Sequence, residues 1–336
     1  MSRCLPTPDV TSLALRQLGS TGLAVSRIGL GLAALGRPAY INLGRDDDYG
    51  ANRSATDFEQ RAHDVLDAAY EAGVRYVDAA RSYGMSEAFL ASWLRARNLP
   101  AGAVTIGSKW GYSYVGDWRL DAPVHEVKDL SATTLRRQIT ESGDLLGDRL
   151  RLYQIHSATI ESGVLDDLEV LRELAALRSN GLAIGLTVSG PRQAEVIRRA
   201  LRVSVDGLNP FQVVQATWNL LEPSAGPALA DAKAAGWGII VKEALANGRL
   251  TDRYGAEHAA SLKQQAESLR TTLDVLALSA ALSQCWTDVV LSGAVTREQL
   301  KSNLRAGRLA GTVNEWSITA EPADEYWARR SRLAWN

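Results

Sequence analysis

The chain has 336 residues, 46% of them hydrophobic, so it can bury a large core and is not globally disordered. Its 37 Lys and Arg balance 38 Asp and Glu, and a net charge of -1 lacks the basic excess of proteins that bind nucleic acid or anionic membranes. Cys4 and Cys285 do not indicate a disulfide framework, and the first residues lack the apolar core of a secretory signal. These features predict a soluble cytoplasmic protein without a nucleic-acid or membrane partner.

Residues 1–12 are predicted to form a flexible tail, and residues 13–336 a single domain. The domain begins with two short apolar runs around Gly19-Ser20-Thr21-Gly22, a pattern that predicts a β-hairpin. Eight β-rich runs then alternate with amphipathic helical stretches. The runs are VSRIGLGL, YVDAA, VTIGSK, LRLYQIH, AIGLTVS, VVQATWN, GIIVKEAL and DVVLSGA.

The helical stretches support the same architecture. In DFEQRAHDVLDAAYEAG, apolar residues recur at helical spacing, and Gly73 follows as a left-handed cap would require. Regular alternation without a linker predicts one (β/α)8 TIM barrel, with the N-terminal hairpin closing its bottom. A doubly wound open sheet is the alternative. It is disfavoured because no GxGxxG follows the first strand.

Four chemically capable residues lie at, or just beyond, the ends of predicted strands: Asp78, Tyr83, Lys109 and His156. A parallel barrel gathers the C-terminal ends of its strands around one mouth, so these side chains are expected to meet there. Reduction of a carbonyl needs a hydride donor and an acid that protonates the developing alkoxide. The four residues therefore predict a proton-donating site.

Each of the four fits a separate role. Tyr83 is the candidate acid, and the ammonium of Lys109 is expected to lower its pKa from the ordinary value near 10. Asp78 is expected to pair with the lysine and hold it in place. His156 is expected to donate a hydrogen bond to the carbonyl oxygen and so orient the substrate.

From about residue 15 to residue 303, the chain resembles the aldo-keto reductase family. The resemblance is carried by LGSTGLAVSRIGLGLAALG, YVDAARSYG, GMSE with Ser86 and Glu87, GSKWG and LYQIH. It implies an eight-stranded barrel and a nicotinamide dinucleotide bound extended across the mouth. The 2′-phosphorylated form, NADP(H), is implied first, with NAD(H) as the alternative.

The resemblance also implies residues that contact the cofactor. They are Gly31, Leu32, Asp78, Thr187, Gln215, Lys242, Leu245, Asn247, Arg253, Gly293, Gln299 and Asn303. The chain departs from the family pattern at three of the surrounding positions. Val188 replaces an asparagine, Lys242 stands where an aromatic residue often stacks under the nicotinamide, and Val295 replaces a residue that often meets the 2′-phosphate. Arg297 or Lys301 is the candidate substitute for that last contact.

The substrate pocket is predicted from aromatic residues near the mouth. Tyr40, Trp110 and Trp218 are its candidate walls. The insertion at residues 37–55, with Asp46, Asp47 and Asp48, is expected to be a solvated loop over the mouth. The C-terminal AEPADEYWARRSRLAWN is predicted to be a helix or arm, which in this family borders the pocket.

The predicted function is NAD(P)(H)-dependent reduction of an aldehyde, ketone or sugar carbonyl, with Tyr83 as general acid. Two alternatives stay open at this point. One is an aldose dehydrogenase that works in the oxidative direction, since the same residues serve both directions. The other is a cofactor-sensing regulatory subunit with slow catalysis. No metal site is predicted, and the sequence indicates neither the individual substrate nor the oligomeric state.

Overall fold

The computed structural model of the chain describes residues 14–43, 46–50, 52–253, 259–313 and 315–335. The predicted tail at residues 1–12 lies outside these ranges, so the tail and the domain boundary at residue 13 stay predictions. None of the helices in the described ranges is both long and apolar enough to span a membrane.

Eight of the twelve strands in the described residues form a closed parallel barrel. The strands are β1 (Arg16–Gln17), β2 (Ala24–Val25), β3 (Ile28–Gly31), β4 (Tyr76–Asp78), β5 (Thr105–Trp110), β6 (Tyr112–Tyr114), β7 (Glu126–Lys128), β8 (Leu150–Ala158), β9 (Ala183–Val188), β10 (Val213–Thr217), β11 (Gly238–Lys242) and β12 (Val289–Ser292). The barrel order is β3, β4, β5, β8, β9, β10, β11 and β12, and β12 pairs back onto β3. The predicted (β/α)8 barrel is confirmed.

The described helices separate the barrel strands or lie at the mouth. They are α1 (Asp46–Tyr49), α2 (Ala55–Glu71), α3 (Ser86–Ala96), α4 (Ala132–Leu146), α5 (Leu168–Ser179), α6 (Gln193–Leu201), α7 (Gly226–Ala234), α8 (Ala260–Ser268), α9 (Leu273–Leu282), α10 (Arg297–Leu304), α11 (Ala306–Leu309) and α12 (Ala323–Arg330). Single 3-10 turns occur at Gly147–Arg149 and Ala246–Gly248.

Helix α2 illustrates how local sequence sets these elements. It begins after Ser54, whose side chain accepts a hydrogen bond from the backbone N–H of Asp57 at 3.2 Å, a cap that contributes about 1 kcal/mol. Its apolar residues, including Phe58 and Leu66, lie on one buried face against the barrel. The chain leaves the helix through Gly73 at a φ of 88°, where a side chain would be strained.

The antiparallel hairpin β1–β2 closes the bottom of the barrel, as predicted. Leu18, Leu23 and Val25 pack against inward-facing residues such as Tyr76 in a separate core cluster. Gly19 is required at the hairpin turn because a Cβ there would lie 2.2 Å from the backbone nitrogen of Gly238. The hairpin thereby seals the end of the barrel that lies opposite the mouth.

Three segments surround the mouth, where the C-terminal ends of the strands meet. They are the connection from β3 to α2, the antiparallel hairpin β6–β7, and the C-terminal arm that contains α12. The C-terminal arm pairs with the connection from β3 to α2 through an antiparallel β-bridge between Ile41 and Trp335. It is also held by a 3.0 Å hydrogen bond that Asn219 donates to the Tyr326 hydroxyl. The predicted C-terminal arm thus borders the mouth.

Candidate active site

The barrel brings the four predicted residues together at the mouth. Asp78 is the last residue of β4, and Lys109 lies near the end of the neighbouring strand β5. The Lys109 ammonium forms an ion pair with the Asp78 carboxylate and also donates to the backbone oxygen of Ala79 at 3.0 Å. Both side chains are buried, so each charge depends on the other for compensation.

Tyr83 lies on the turn that follows β4. Its hydroxyl is 3.2 Å from Lys109 Nζ, within hydrogen-bond distance. The backbone around it is tightly packed, because a Cβ on Gly36 would lie 2.1 Å from the Tyr83 carbonyl oxygen. Tyr83 is therefore held between the end of β4 and the segment that follows β3.

His156 approaches Tyr83 from β8. The two rings are nearly perpendicular, with centroids 5.5 Å apart, and His156 Nδ1 lies 3.3 Å from the Ser82 hydroxyl. Burial, together with the charges of Lys109 and Lys242, holds the pKa of His156 well below its usual range. The imidazole is therefore neutral near pH 7 and carries one N–H that can donate to a ligand.

Three polar side chains of the barrel strands hold the Asp78 carboxylate in place. Its Oδ2 accepts hydrogen bonds from the Tyr76 hydroxyl at 3.1 Å and from the Gln215 amide at 2.8 Å. The Gln154 amide lies at 3.4 Å from the same oxygen. These donors hold the carboxylate in a fixed orientation toward Lys109.

The electrostatic balance at Tyr83 differs from the sequence prediction. Burial, followed by the charge of Asp78, raises the pKa of Tyr83 well above its ordinary value, and Arg37 acts against this increase. Burial and Asp78 outweigh the neighbouring cations, so the predicted lowering of the Tyr83 pKa is wrong. The phenol is protonated near neutral pH, which is the form an acid must have before it donates.

A groove of about 590 Å³ runs across the mouth from these residues. Eleven of the twelve residues predicted to contact a cofactor line it: Gly31, Asp78, Thr187, Gln215, Lys242, Leu245, Asn247, Arg253, Gly293, Gln299 and Asn303. Leu32 does not, since its side chain is buried in the core and its N–H bonds the Asp78 carbonyl oxygen. The predicted residues thus share one continuous surface.

Two features of the groove relate to the binding of an extended dinucleotide. Gln215 uses its amide N–H on Asp78, which leaves its carbonyl oxygen as an acceptor for a carboxamide. Further along, Glu243, Ala246, Asn247 and Gly248 all have positive φ between 49° and 96°. The backbone N–H groups of Ala246 and Gly248 donate to the carbonyl oxygens of Glu243 and Leu245, so they close a tight turn beside the groove and are not available to bind an anion.

Lys242, which stands at the usual stacking position, belongs to a polar network. Its ammonium donates to the Thr217 hydroxyl at 2.8 Å, and Thr217 in turn donates to Glu243 at 3.0 Å. Burial lowers the pKa of Lys242 to about 8. For Glu243, burial is outweighed by the charges of Arg330 and Lys242, which lower its pKa to about 2. Glu243 is thus ionised, with Arg330 of α12 as its ion-pair partner.

The predicted substrate walls are only partly present. Tyr40 lines the groove, whereas Trp110 and Trp218 are buried outside the barrel and do not. Trp110 follows Lys109 along a strand, so its side chain points to the opposite face. Trp218 likewise follows Thr217, whose side chain points into the barrel, so the Trp218 side chain also points to the opposite face. The prediction of these two tryptophans as pocket walls is wrong.

Several residues of the substrate end were missed by the sequence analysis. Arg37, Glu126, Glu243, Arg330 and Trp335 all line the groove near Tyr83. Glu243 directly follows the C-terminal end of β11, a signal that could have identified it. The general position of the C-terminal arm was predicted, but no strand end or motif marked the other four residues.

Asp48 was expected in a solvated loop but lies in the groove. Its side chain is 4% exposed, accepts a 2.8 Å hydrogen bond from the Gln299 amide and pairs with Arg253. By contrast, neither of the cations suggested for a 2′-phosphate lines the groove: Arg297 lies 4.0 Å from Glu71 of α2, and Lys301 is exposed.

A model of the aldo/keto reductase family matches residues 27–320. The chain belongs to the aldo/keto reductase family. It is 25% identical to L-galactose dehydrogenase of Arabidopsis thaliana, covering 88% of this chain and 89% of that protein. It is 24% identical to the NADH-specific methylglyoxal reductase of Escherichia coli strain K12, covering 86% and 92%. The crystal structure of PA4992 from Pseudomonas aeruginosa, described as a proposed aldo-keto reductase, matches with a TM-score of 0.64 at 27% identity, covering 90% of this chain and 98% of that one.

As a member of this family, the protein is an oxidoreductase that uses a nicotinamide cofactor. The family relation covers nearly all of the described barrel.

Proposed function

We propose that this aldo-keto reductase reduces the carbonyl of a small polar aldehyde, ketone or sugar, with Tyr83 as the proton donor. The observation that carries the proposal is the Tyr83 hydroxyl, 3.2 Å from Lys109 Nζ and beside the His156 ring at the end of the groove. A reacting carbonyl oxygen that approaches this hydroxyl meets an acid and a neutral imidazole that line the groove. The buried Lys109 ammonium contacts the hydroxyl but does not itself line the groove.

The residues have separate tasks in the reaction. A bound nicotinamide cofactor would supply the hydride that the carbonyl carbon needs. The Tyr83 hydroxyl gives its proton to the carbonyl oxygen. The phenolate that remains is stabilised by the ammonium of Lys109, which Asp78 keeps in place. The neutral His156 donates a hydrogen bond that orients the oxygen.

The state of Tyr83 favours reduction near neutral pH. Because its pKa is raised, the phenol is protonated there, as reduction requires. Oxidation requires the phenolate. At pH values below the pKa of Tyr83, the phenolate fraction increases about tenfold for each unit by which the pH is raised. The oxidative alternative, an aldose dehydrogenase, is favoured by the relation to L-galactose dehydrogenase and is expected to show itself only at alkaline pH.

The walls near Tyr83 support a polar substrate. Arg37 pairs with Glu126 at 2.6 Å, and Arg330 pairs with Glu243, so donors and acceptors both face this end of the groove. A site built from buried polar groups discriminates against ligands that leave those groups unpaired. Sugars and short hydroxylated aldehydes therefore fit better than aromatic aldehydes.

A substrate panel tests the proposal. We expect short hydroxylated aldehydes to have kcat/KM values at least about tenfold above those of aromatic aldehydes with the same number of heavy atoms. Initial rates of cofactor oxidation at pH 7, and of sugar oxidation at pH 7 and pH 9, provide the measurement. A preference for aromatic aldehydes would contradict the substrate class. Cofactor binding without turnover on any carbonyl would instead support the regulatory alternative.

The form of the cofactor follows from charges at the far end of the groove. The resemblance favours NADP(H), but the described charged residues that line this end are Asp48, Asp252, Asp274, Glu298 and Arg253. A carboxylate accepts hydrogen bonds from a ribose diol and repels a 2′-phosphate. Asp48 is held in place by Gln299 and Arg253. We therefore propose NAD(H) as the preferred form.

Binding measurements check this preference independently of turnover. We expect NADH to bind at least about tenfold tighter than NADPH, a difference of about 1.4 kcal/mol. Titration by quenching of tryptophan fluorescence gives both constants. Asp48→Asn is expected to reduce the ratio, whereas Asp231→Asn, on the outer surface of α7, is the control. Tighter binding of NADPH by the unmodified protein would exclude the proposal.

A further inference from the structure

Arg37 is a buried cation packed against the proposed acid. It follows Gly36 directly, is 2% exposed, and lines the groove. Its guanidinium carbon lies 5.3 Å from the centroid of the Tyr83 ring. The rings of Tyr40 and Trp335 lie at 5.2 and 4.7 Å from the same carbon. The guanidinium is therefore enclosed by three aromatic rings, one of which belongs to Tyr83.

Two polar contacts fix the guanidinium in this position. Its Nη1 donates to the backbone oxygen of Ser82 at 2.9 Å, one residue before Tyr83. The same nitrogen donates to the Glu126 carboxylate of β7 at 2.6 Å. The backbone leaves little room for movement, because a Cβ on Gly84 would lie 2.4 Å from the Gly36 carbonyl oxygen.

Burying an arginine is costly unless it is paired, and here the Glu126 carboxylate provides the counter-charge. A purely structural role would be to anchor the β6–β7 hairpin through Glu126. That role does not require the guanidinium to lie over the phenol. We propose that Arg37 is a positioning residue whose positive charge, added to that of Lys109, stabilises Tyr83 as it gives up its proton, and that Glu126 moderates this effect. The inference rests on the proposed function, in which Tyr83 is the acid.

The other groups around Tyr83 define the sign of the effect. The titratable groups that face it are Tyr76 and Asp78 of β4, Lys109 of β5, Glu126 of β7, His156 of β8, Glu243 after β11, and Arg37 and Tyr40 from the segment after β3. Burial and Asp78 raise the pKa of Tyr83, Glu126 and Glu243 add to the increase, and Arg37 lowers it. Loss of the Arg37 charge must therefore raise this pKa further, and loss of the Glu126 charge must lower it.

The two members of the ion pair thus give shifts of opposite sign. The test is the pH dependence of kcat for alcohol oxidation, whose rising limb reports formation of the Tyr83 phenolate. In Arg37→Gln we expect the rising limb to shift to higher pH by about one unit. At a fixed pH on the limb, the rate of oxidation therefore falls about tenfold. In Glu126→Gln we expect the rising limb to shift to lower pH, so that the rate of oxidation at that pH increases. Arg37→Lys, which keeps the charge, is expected to recover part of the loss.

A matched control separates charge from packing. Arg81 forms a similar ion pair with the buried Glu87 at 2.6 Å but does not lie over the Tyr83 ring. Arg81→Gln is expected to leave the position of the limb unchanged. If Arg37→Gln does not fold, as judged by circular dichroism, the direction of the shift in Glu126→Gln decides the question alone.

Shifts in the same direction for the two variants, or an unmoved limb in Glu126→Gln, would overturn the inference. The activity of Tyr83→Phe distinguishes failure of this inference about Arg37 from failure of the proposed function. If Tyr83→Phe is inactive and the limb does not move, only the role of Arg37 is lost. If Tyr83→Phe is active, the proposed acid itself is wrong.

Discussion

Tyr83→Phe is expected to lower kcat for carbonyl reduction by about 10³-fold, with the affinity for the dinucleotide changed by less than about twofold. The substitution removes only the hydroxyl, 3.2 Å from Lys109 Nζ. The ring keeps its edge-to-face contact with His156 and its place beneath the Arg37 guanidinium. The loss therefore reports proton donation and not the shape of the pocket.

Single-turnover reduction with pre-bound cofactor gives the rate of the chemical step, and fluorescence titration gives the binding constant. Tyr153→Phe is the matched control, since Tyr153 is fully buried in β8 but does not line the groove. It is expected to stay within about threefold of the unmodified protein. A rate for Tyr83→Phe within tenfold of normal would mean that another group donates the proton.

The convergence of the four candidate residues could be predicted because it depends mainly on topology. Asp78, Lys109 and His156 each lie near the C-terminal end of a strand, and a closed parallel barrel brings all such ends to one mouth. No knowledge of loop conformation is needed for this step. Tyr83 follows β4 after a single turn, so its position depends on few additional dihedral angles.

The substrate end could not be predicted in the same way. Arg37 lies on the connection after β3, Glu126 on the short hairpin strand β7, and Trp335 on the C-terminal arm. None of these residues lies at the C-terminal end of a barrel strand. Trp335 reaches the site only because the arm pairs with Ile41, which is almost a whole chain length away in sequence. Contacts of this kind depend on long-range packing and have no local signal.

Trp110 and Trp218 are a different case, because the sequence contained the information that excludes them. Lys109 and Thr217 point into the barrel, so the residue after each must point outward to the helices. Counting strand parity from the predicted lysine would have assigned Trp110 to the outer core. Both tryptophans are buried there.

The buried ion pair between Asp78 and Lys109 predicts a large loss of stability and activity in Asp78→Asn. Removing one partner of a buried pair leaves the other charge uncompensated, which costs about 3–5 kcal/mol. We therefore expect Asp78→Asn to lower the free energy of unfolding by about this amount and to reduce kcat by at least about 10²-fold, because Lys109 loses both its counter-ion and its anchor beside Tyr83.

The double variant Asp78→Asn with Lys109→Met separates stability from catalysis. With both charges removed, no uncompensated ion remains, so at least about half of the lost stability should return. Activity should not return, because no ammonium is left to stabilise the Tyr83 phenolate. Urea denaturation followed by fluorescence, alongside kcat for each variant, measures both quantities. A double variant as unstable as the sum of the two single variants would show that the pair contributes through packing and not through charge compensation.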